Sequence, residues 1–172
     1  MTKTTRTRIL TGVVIAVFTA LVGFQFKSAT ANETSLLKWR SFDEGIAEAQ
    51  KSNKKVLVDV YTDWCSWCKK MDSQVYANKD VADYLTKSYV VIKLNAESSR
   101  KINYKNQQYT ERELAAAFGI NGYPSTLFLK SDSEPITIYP GFADAQKFKQ
   151  IISFIAEDHY LTKKFEDYVV GK

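Results

Sequence analysis

Cys65 and Cys68 are the only cysteines of the 172-residue chain, and two residues separate them. They follow a short apolar run, residues 56–61, and precede a segment with helical periodicity. Cys-x-x-Cys at the junction of a strand and a helix is typical of a dithiol that forms and breaks a disulfide reversibly. The thiolate is the attacking species, and the N–H groups and dipole of a helix N-terminus stabilise it. By position, we expect Cys65 to be an exposed nucleophile and Cys68, one helical turn further on, to be the resolving thiol.

Two other uses of this pair are a structural disulfide and half of a zinc site. A bridge that closes so short a loop constrains the unfolded chain little. A structural zinc ion takes four ligands, and His159 is the only histidine of the chain. Redox chemistry is therefore favoured over both, and it requires neither a metal nor an organic cofactor.

Asp59 lies in the middle of the apolar run, where folding alone does not explain an acid. Burying a carboxylate is costly unless it is paired or neutralised. One interpretation is an acid of raised pKa that accepts the proton of Cys68, directly or through water, as a mixed disulfide resolves. The other is a structural acid paired with a lysine. The two interpretations overlap, because such a lysine would tune the same carboxylate.

The first 31 residues have the three parts of a secretory signal. Residues 1–8 are polar and basic, residues 9–26 are mostly apolar, and Ala29-Thr30-Ala31 supplies an A-x-A cleavage site. The alternative is an uncleaved N-terminal anchor, although the apolar stretch is marginal for crossing a bilayer. Either way, we expect residues 32–172 to lie in an oxidising compartment, the periplasm or another extracytoplasmic space. A membrane contact is expected only if the leader is uncleaved.

The formal charge of +5 belongs largely to this leader. Four of the 24 Lys and Arg residues precede the first acidic residue, Glu33, so 20 basic residues face 19 acidic ones in the remainder. A nearly neutral body lacks the basic surface that nucleic acids require, so no nucleic-acid partner is expected. The length and the composition, 45% hydrophobic and 25% charged, are those of one globular domain.

Short apolar runs alternate with helical patterns along the rest of the chain. Capping-box spacings begin helices at Ser41 and Thr110, and Asp144 can cap a last helix. Residues 95–109 are polar and are expected to form a long loop or an inserted turn. The predicted strands are residues 36–39, 56–61, 89–94, 125–130 and 136–139, and the last two form an antiparallel hairpin.

The predicted order is β-α-β-α-β-α-β-β-α, which indicates an α/β fold with a mixed central sheet and helices on both faces. We expect residues 32–156 to form this domain. The charged and aromatic residues 157–172 are expected to add a C-terminal helical extension.

This order, with Trp-Cys-x-x-Cys-Lys after the central strand, resembles the thioredoxin family over roughly residues 39–155. VDVYTDWCSWCK looks like the family's active-site segment, with Asp59 as the acid in the strand. VVIKLNAE places Lys93 where the family has a lysine facing that acid. FGINGYPSTLFL is similar to the segment that carries the family's cis-proline, here Pro124, and Gly141 after the last strand also fits.

The resemblance implies a thioredoxin-like fold and a thiol:disulfide oxidoreductase in which Asp59 and Lys93 assist proton transfer. It also implies that Pro124 faces the dithiol with a cis peptide bond. The main chain of Tyr123 would then bind an extended substrate by strand addition.

The candidates for an aromatic rim around the cysteines are Trp64, Trp67, Tyr61 and Tyr123. We expect Trp67 to be partly exposed and to bind an apolar or aromatic partner. Trp64 either joins this rim or packs against the helix, and the second interpretation is favoured.

Two features depart from thioredoxin itself. The two residues between the cysteines are Ser66-Trp67 instead of Gly-Pro, and the loop of residues 97–109 is longer than the corresponding loop of a minimal thioredoxin. With the leader, they indicate an extracytoplasmic branch of the family. The buried acid, the lysine and an inner pair without histidine favour a reductase over an oxidase or isomerase. Its partners would be protein disulfides and a redox partner protein, in solution or in a membrane. A non-catalytic peptide-binding module is the alternative, but it would not need an intact Cys-x-x-Cys.

Overall fold

A computed structural model describes residues 35–170 of the protein. The predicted leader, residues 1–31, lies outside the described residues. Among residues 35–170, none of the helices has the length and apolar character needed to cross a membrane. The described part contains a four-stranded mixed sheet, a separate two-stranded hairpin and six α-helices.

The mixed central sheet has the order β2-β1-β5-β6, and it confirms the predicted fold class. The β1 strand is parallel to β2 and antiparallel to β5, and β5 is antiparallel to β6. The strands are β1 (Lys55–Tyr61), β2 (Tyr89–Asn95), β3 (Lys101–Tyr104), β4 (Gln107–Thr110), β5 (Ser125–Leu129) and β6 (Pro135–Pro140).

The helices begin where the sequence supplies a capping side chain. The Thr110 hydroxyl accepts the N–H of Glu113 at 3.1 Å, while the Glu113 carboxylate accepts the N–H of Thr110 at 2.6 Å. Asp144 accepts the N–H of Lys147 at 2.8 Å. These contacts satisfy N–H groups that have no partner within the helix. The helices are α1 (Phe42–Ser52), α2 (Ser66–Met71), α3 (Lys79–Ser88), α4 (Glu111–Ala117), α5 (Ala145–Ala156) and α6 (Phe165–Val170). One π-helical turn, Asp72–Tyr76, extends α2.

The core has two layers because successive side chains of β1 point to opposite faces of the sheet. Leu57 belongs to the layer beneath α3 and α5, together with Phe128 and Phe148. Val56 and Val58 belong to the other layer, beneath α1 and α4. Both layers bury their apolar side chains, so β1 is covered on both faces.

The predicted first strand at residues 36–39 is wrong. Only Arg40 pairs with the sheet, through a single parallel bridge to Ile92 of β2. The N–H of Arg40 donates to Val91 and its carbonyl accepts the N–H of Lys93. Ser41 is the N-cap of α1, so the chain turns away before a second pair can form.

Residues 95–109 contain a β-hairpin, where a long loop or an inserted turn was predicted. The β3 and β4 strands pair antiparallel across a tight turn in which Lys105 and Asn106 have φ values of 49° and 64°. Ile102 is buried under the hairpin. Its strands are rich in polar residues because one face is exposed, and this obscured the strand pattern.

Gly45 marks the place where α1 approaches β2 most closely. A Cβ atom at this position would collide with the side chain of Ile92, which is fully buried. We expect Gly45→Ala to lower the free energy of unfolding by about 1–2 kcal/mol, since overpacking outweighs the helix propensity of alanine. Urea unfolding measures this change.

In an Ile92→Ala background the same substitution should be neutral or stabilising, because the colliding side chain is gone. An equal loss in both backgrounds would show that Ile92 is not the obstacle.

Candidate active site

Four segments of the chain meet at one edge of the sheet. The β1 and β2 strands are parallel and end there, whereas β5, which is antiparallel to β1, begins there and β6 ends there. The order along this edge therefore follows the strand order. The segments carry Glu97 after β2, Trp64 and Cys65 after β1, Tyr123 and Pro124 before β5, and Phe142 after β6.

Cys65 and Cys68 form a disulfide across the first turn of α2, and their Cα atoms are 5.3 Å apart. Cys65 is the N-cap of this helix, and its Sγ accepts the N–H of Cys68 at 3.0 Å. After reduction, the same N–H would stabilise a thiolate on Cys65. Only 4% of Cys65 is exposed, so the expectation of an exposed nucleophile is wrong for the disulfide form. The bridge and the helix N–H hold its sulfur away from solvent.

Asp59 is buried, with 1% of its surface exposed. Its Oδ2 accepts a hydrogen bond from Lys93 Nζ at 2.5 Å, and its Oδ1 accepts one from the Tyr76 hydroxyl at 3.2 Å. Asp59 and Lys93 are directly paired residues of the parallel strands β1 and β2, so their side chains lie on the same face. The structure thus brings together the acid and the lysine that the resemblance implied.

The mutual contacts and the burial of Asp59, Lys93 and Tyr76 shift the pKa of each of these side chains. Burial raises the pKa of the Asp59 carboxyl, and the nearby charge and hydrogen bond of Lys93 offset this only in part. Burial lowers the pKa of Lys93, but its contacts with Asp59 and Asp72 outweigh burial and leave the pKa raised. Burial also raises the pKa of Tyr76 well above its ordinary value. Tyr76 therefore stays a protonated donor.

Lys93 is shared between two carboxylates. Its Nζ also contacts Oδ1 of Asp72 at 2.5 Å, and the Asp72 side chain is 49% exposed. Asp72 follows Cys68 by four residues and therefore lies on the same helix face, one turn further. Through Asp72, the Lys93 ammonium contacts the helical segment that carries Cys68, one turn beyond that cysteine.

Aromatic rings enclose the Lys93 ammonium. The ring centroids of Trp39, Tyr61 and Tyr76 lie 4.8, 5.0 and 5.4 Å from Nζ. Aromatic faces attract a cation, so these rings help to keep the lysine charged and in place between its two carboxylates. Trp39, Asp72 and Tyr76 were not predicted to contact Lys93. Only the helical spacing of Asp72 from Cys68 could have indicated one of them.

The Tyr123–Pro124 peptide bond is cis, as the resemblance implied. The carbonyl of Pro124 accepts the N–H of Gly141 at 2.8 Å, which fastens this segment to the end of β6. Within residues 35–170, the main-chain N–H and C=O of Tyr123 have no hydrogen-bond partner. Unpaired main-chain groups of this kind are what strand addition by a peptide requires.

Trp64 is 66% exposed, so the favoured interpretation that it packs against the helix is wrong. Its indole Nε1–H donates to Glu97 at 2.9 Å, and its ring lies edge-to-face against Tyr123 with a centroid distance of 6.1 Å. These two contacts hold the ring at the edge of the site. Glu97 had no signal in the sequence beyond its place just after β2.

Trp67 is partly exposed, as expected, with 53% of its surface accessible. Its ring centroid lies 5.3 Å from that of Phe142. Lys70 Nζ lies 4.6 Å from the Trp67 centroid and 5.1 Å from the Phe142 centroid. Phe142 was not predicted to belong to the site, because it is distant from Trp67 in sequence. Lys70 was also missed, although it follows Trp67 by three residues on α2, a spacing that places the two side chains side by side.

Comparison with known proteins places this geometry in a family. Residues 42–156, more than half of the chain, match the thioredoxin-like domain family. The thiol:disulfide interchange protein DsbD of Photorhabdus laumondii is 24% identical over 121 residues, which are 69% of this chain and 19% of that protein. The disulfide bond reductase DsbH of Chlamydia pneumoniae is 21% identical over 101 residues, 58% of this chain and 60% of that protein. The chain thus spans about a fifth of DsbD and three fifths of DsbH.

Solved structures agree on the fold. The solution structure of a thioredoxin from Thermus thermophilus matches with a TM-score of 0.57 and 22% identity. The match covers 69% of this chain and 86% of that thioredoxin. At this identity the likeness establishes the fold alone, and it confirms the predicted thioredoxin-like architecture.

The raised pKa of Asp59 predicts a particular pH dependence of stability. Between the ordinary pKa of an aspartate and the raised value, the folded protein binds more protons than the unfolded chain. The free energy of unfolding therefore falls as pH rises through this interval, by about 1.4 kcal/mol for each pH unit that separates the two pKa values. Asp59→Asn removes this titration, while Lys93 stays charged throughout.

The measurement is urea unfolding of the oxidised wild type and Asp59→Asn from about pH 4 to about pH 8. The free energy of unfolding of the wild type relative to the variant should decrease with pH. The variant Tyr76→Phe keeps the carboxylate and should keep the decrease. A wild-type advantage that is constant or grows with pH would contradict the raised pKa.

Proposed function

This chain belongs to the thioredoxin-like family, and from that premise we propose that it is a thiol:disulfide oxidoreductase that reduces protein disulfides outside the cytoplasm. The observation that carries the proposal is the Cys65–Cys68 disulfide at the start of α2, with the unpaired main chain of Tyr123 on the same edge of the sheet. A reactive dithiol and a place for an extended substrate are thereby combined. Similarity to the thiol:disulfide interchange protein DsbD supports the exchange chemistry, and similarity to the disulfide bond reductase DsbH supports its reductive direction.

The reaction begins with the reduced dithiol. The Cys65 thiolate attacks one sulfur of the substrate disulfide, a bond forms between them, and the second substrate sulfur leaves as a thiolate that takes up a proton. Cys68 then loses its proton and attacks Cys65 Sγ, which restores the Cys65–Cys68 disulfide and releases the first substrate sulfur as a thiol. Two electrons pass from the dithiol to the substrate, and a redox partner protein must return them.

Asp59 and Lys93 are proposed to manage the proton of Cys68. A carboxyl whose burial raises its pKa can accept a proton from a thiol more readily than an exposed one. Lys93 connects Asp59 to Asp72, which lies one turn after Cys68 on the same helix face, and we propose that the proton passes to Asp59 directly or through a water molecule. Tyr76 holds the second carboxylate oxygen and fixes its orientation.

The proposed location rests on the leader. We assign residues 1–31 as a signal peptide or anchor, residues 32–156 as the catalytic domain and residues 157–172 as a C-terminal extension. A secretory leader would deliver the domain to an oxidising compartment, where protein disulfides are substrates. Trp64, Trp67, Tyr123 and Pro124 are the proposed substrate-binding residues.

Single substitutions of the cysteines test the chemistry. Cys68→Ser should form a stable mixed disulfide with insulin through Cys65, because the resolving thiol is absent. The complex should appear as a gel band that vanishes with reductant. Cys65→Ser is the matched control and should trap little, and both variants should lose catalytic turnover of insulin reduction.

The same variants expressed as the full chain test the location. Trapped complexes are expected in the periplasmic fraction of a bacterial host, and their recovery only from the cytoplasm would contradict the proposed compartment. If Cys68→Ser traps nothing and the wild type does not reduce insulin, the domain is a peptide-binding module instead of an enzyme.

A further inference from the structure

The half-buried Lys70 and the exposed Glu97 flank the dithiol, and the proposed exchange reaction uses neither charge. Lys70 lies on α2 and Glu97 follows β2. Among residues 35–170, neither side chain has an ion-pair partner. Both charges are therefore free to meet charges of a partner.

The basic flank consists of Lys70, Trp67 and Phe142. The ammonium lies 4.6 Å from the Trp67 ring centroid and 5.1 Å from the Phe142 ring centroid. The two rings hold the lysine by cation–π attraction but leave its charge uncompensated. This flank thus presents a fixed positive charge beside an exposed aromatic surface.

The acidic flank consists of Glu97, Trp64 and Tyr123. The Glu97 carboxylate accepts the indole N–H of Trp64, and that ring contacts Tyr123. A neutral donor orients the carboxylate without cancelling its charge. The neighbouring Asp63 is also exposed and adds a second negative charge to this side.

Strand order separates the two flanks. Glu97 follows β2 and Phe142 follows β6, and these are the two outer strands of the order β2-β1-β5-β6. Three strand spacings of about 4.8 Å put roughly 14 Å between the end of β2, which precedes Glu97, and the end of β6, which precedes Phe142, and Cys65 follows β1 between them. An extended chain covers about 3.3 Å per residue, so roughly four residues bridge this distance.

We propose that the two flanks select the partner protein and its orientation. The segment that reacts with Cys65 is extended, and it carries an acidic side chain next to Lys70 and a basic side chain next to Glu97, on opposite sides of its cysteine. This inference rests on the proposed function and defines its substrate class. Complementary rim charges act mainly on association and on the rejection of mismatched partners.

Synthetic peptides that contain one cysteine, linked by a disulfide to nitrothiobenzoate, test this selection. The Cys65 thiolate attacks the peptide sulfur and expels the coloured nitrothiobenzoate thiolate, and Cys68 then releases the peptide as a thiol. Three peptides suffice: one has aspartate about two residues before the cysteine and lysine about two after it, one has the reverse order, and one has serine at both places. The rate of colour release by the reduced protein is measured with each.

The wild type should react about tenfold faster with one charged order than with the other, with the neutral peptide between them. The double variant Lys70→Glu, Glu97→Lys should invert this preference, which misfolding cannot do. The matched control Lys69→Glu changes an exposed lysine that neighbours Lys70 in sequence but contacts no aromatic ring of residues 35–170, and it should keep the preference. Salt at about 1 M should weaken the preference, since the Debye length falls to about 3 Å.

Equal rates with the two charged orders in the wild type would overturn the inference, as would an unchanged preference in the double variant. In both cases the neutral peptide still reacts, so the proposed function stands. If the neutral peptide releases no colour from the reduced protein, the proposed function fails, and the inference fails with it.

Discussion

The ion pair between Asp59 and Lys93 is the interaction on which the rest of the site depends. A carboxylate in the central strand of a sheet covered on both faces is costly to bury, and the lysine of the neighbouring strand offsets part of this cost. The parallel register of β1 and β2 makes the two residues direct neighbours. The pair thus links strand register to the protonation state of the site.

Lys93 extends this constraint to the helix that carries the cysteines. Through its contact with Asp72, Lys93 joins the sheet to the helical segment that begins at Cys65. Tyr76 of the same segment donates a hydrogen bond to Asp59. Trp39, in the segment before α1, adds a cation–π contact with the Lys93 ammonium. Four separate parts of the chain, namely β1, β2, the helical segment from Cys65 and the segment before α1, therefore hold one charged cluster.

Patterns local in sequence predicted much of this structure, and contacts distant in sequence account for the errors. The apolar runs of β1 and β2, the cap at Thr110 and the Cys-x-x-Cys spacing each depend on neighbouring residues, and they were predicted correctly. The pairing of Asp59 with Lys93 came from the family resemblance, since no local pattern contains it. The prediction that Trp64 packs against the helix was wrong because its hydrogen-bond partner, Glu97, follows a different strand, β2. Phe142 was missed for the same reason, whereas the contact of Lys70 with Trp67 is local to α2.

The reduction potential of the Cys65–Cys68 pair tests whether the buried Asp59–Lys93 pair makes this dithiol a reductant. A buried carboxylate near Cys68 disfavours further negative charge and should make the reduced dithiol a good electron donor. Related folds range from about −270 mV to about −120 mV, and equilibration with glutathione buffers of known ratio places this protein on that scale. We expect a potential nearer to about −270 mV. A potential near −120 mV, at the oxidising end of the approximate range, would contradict it.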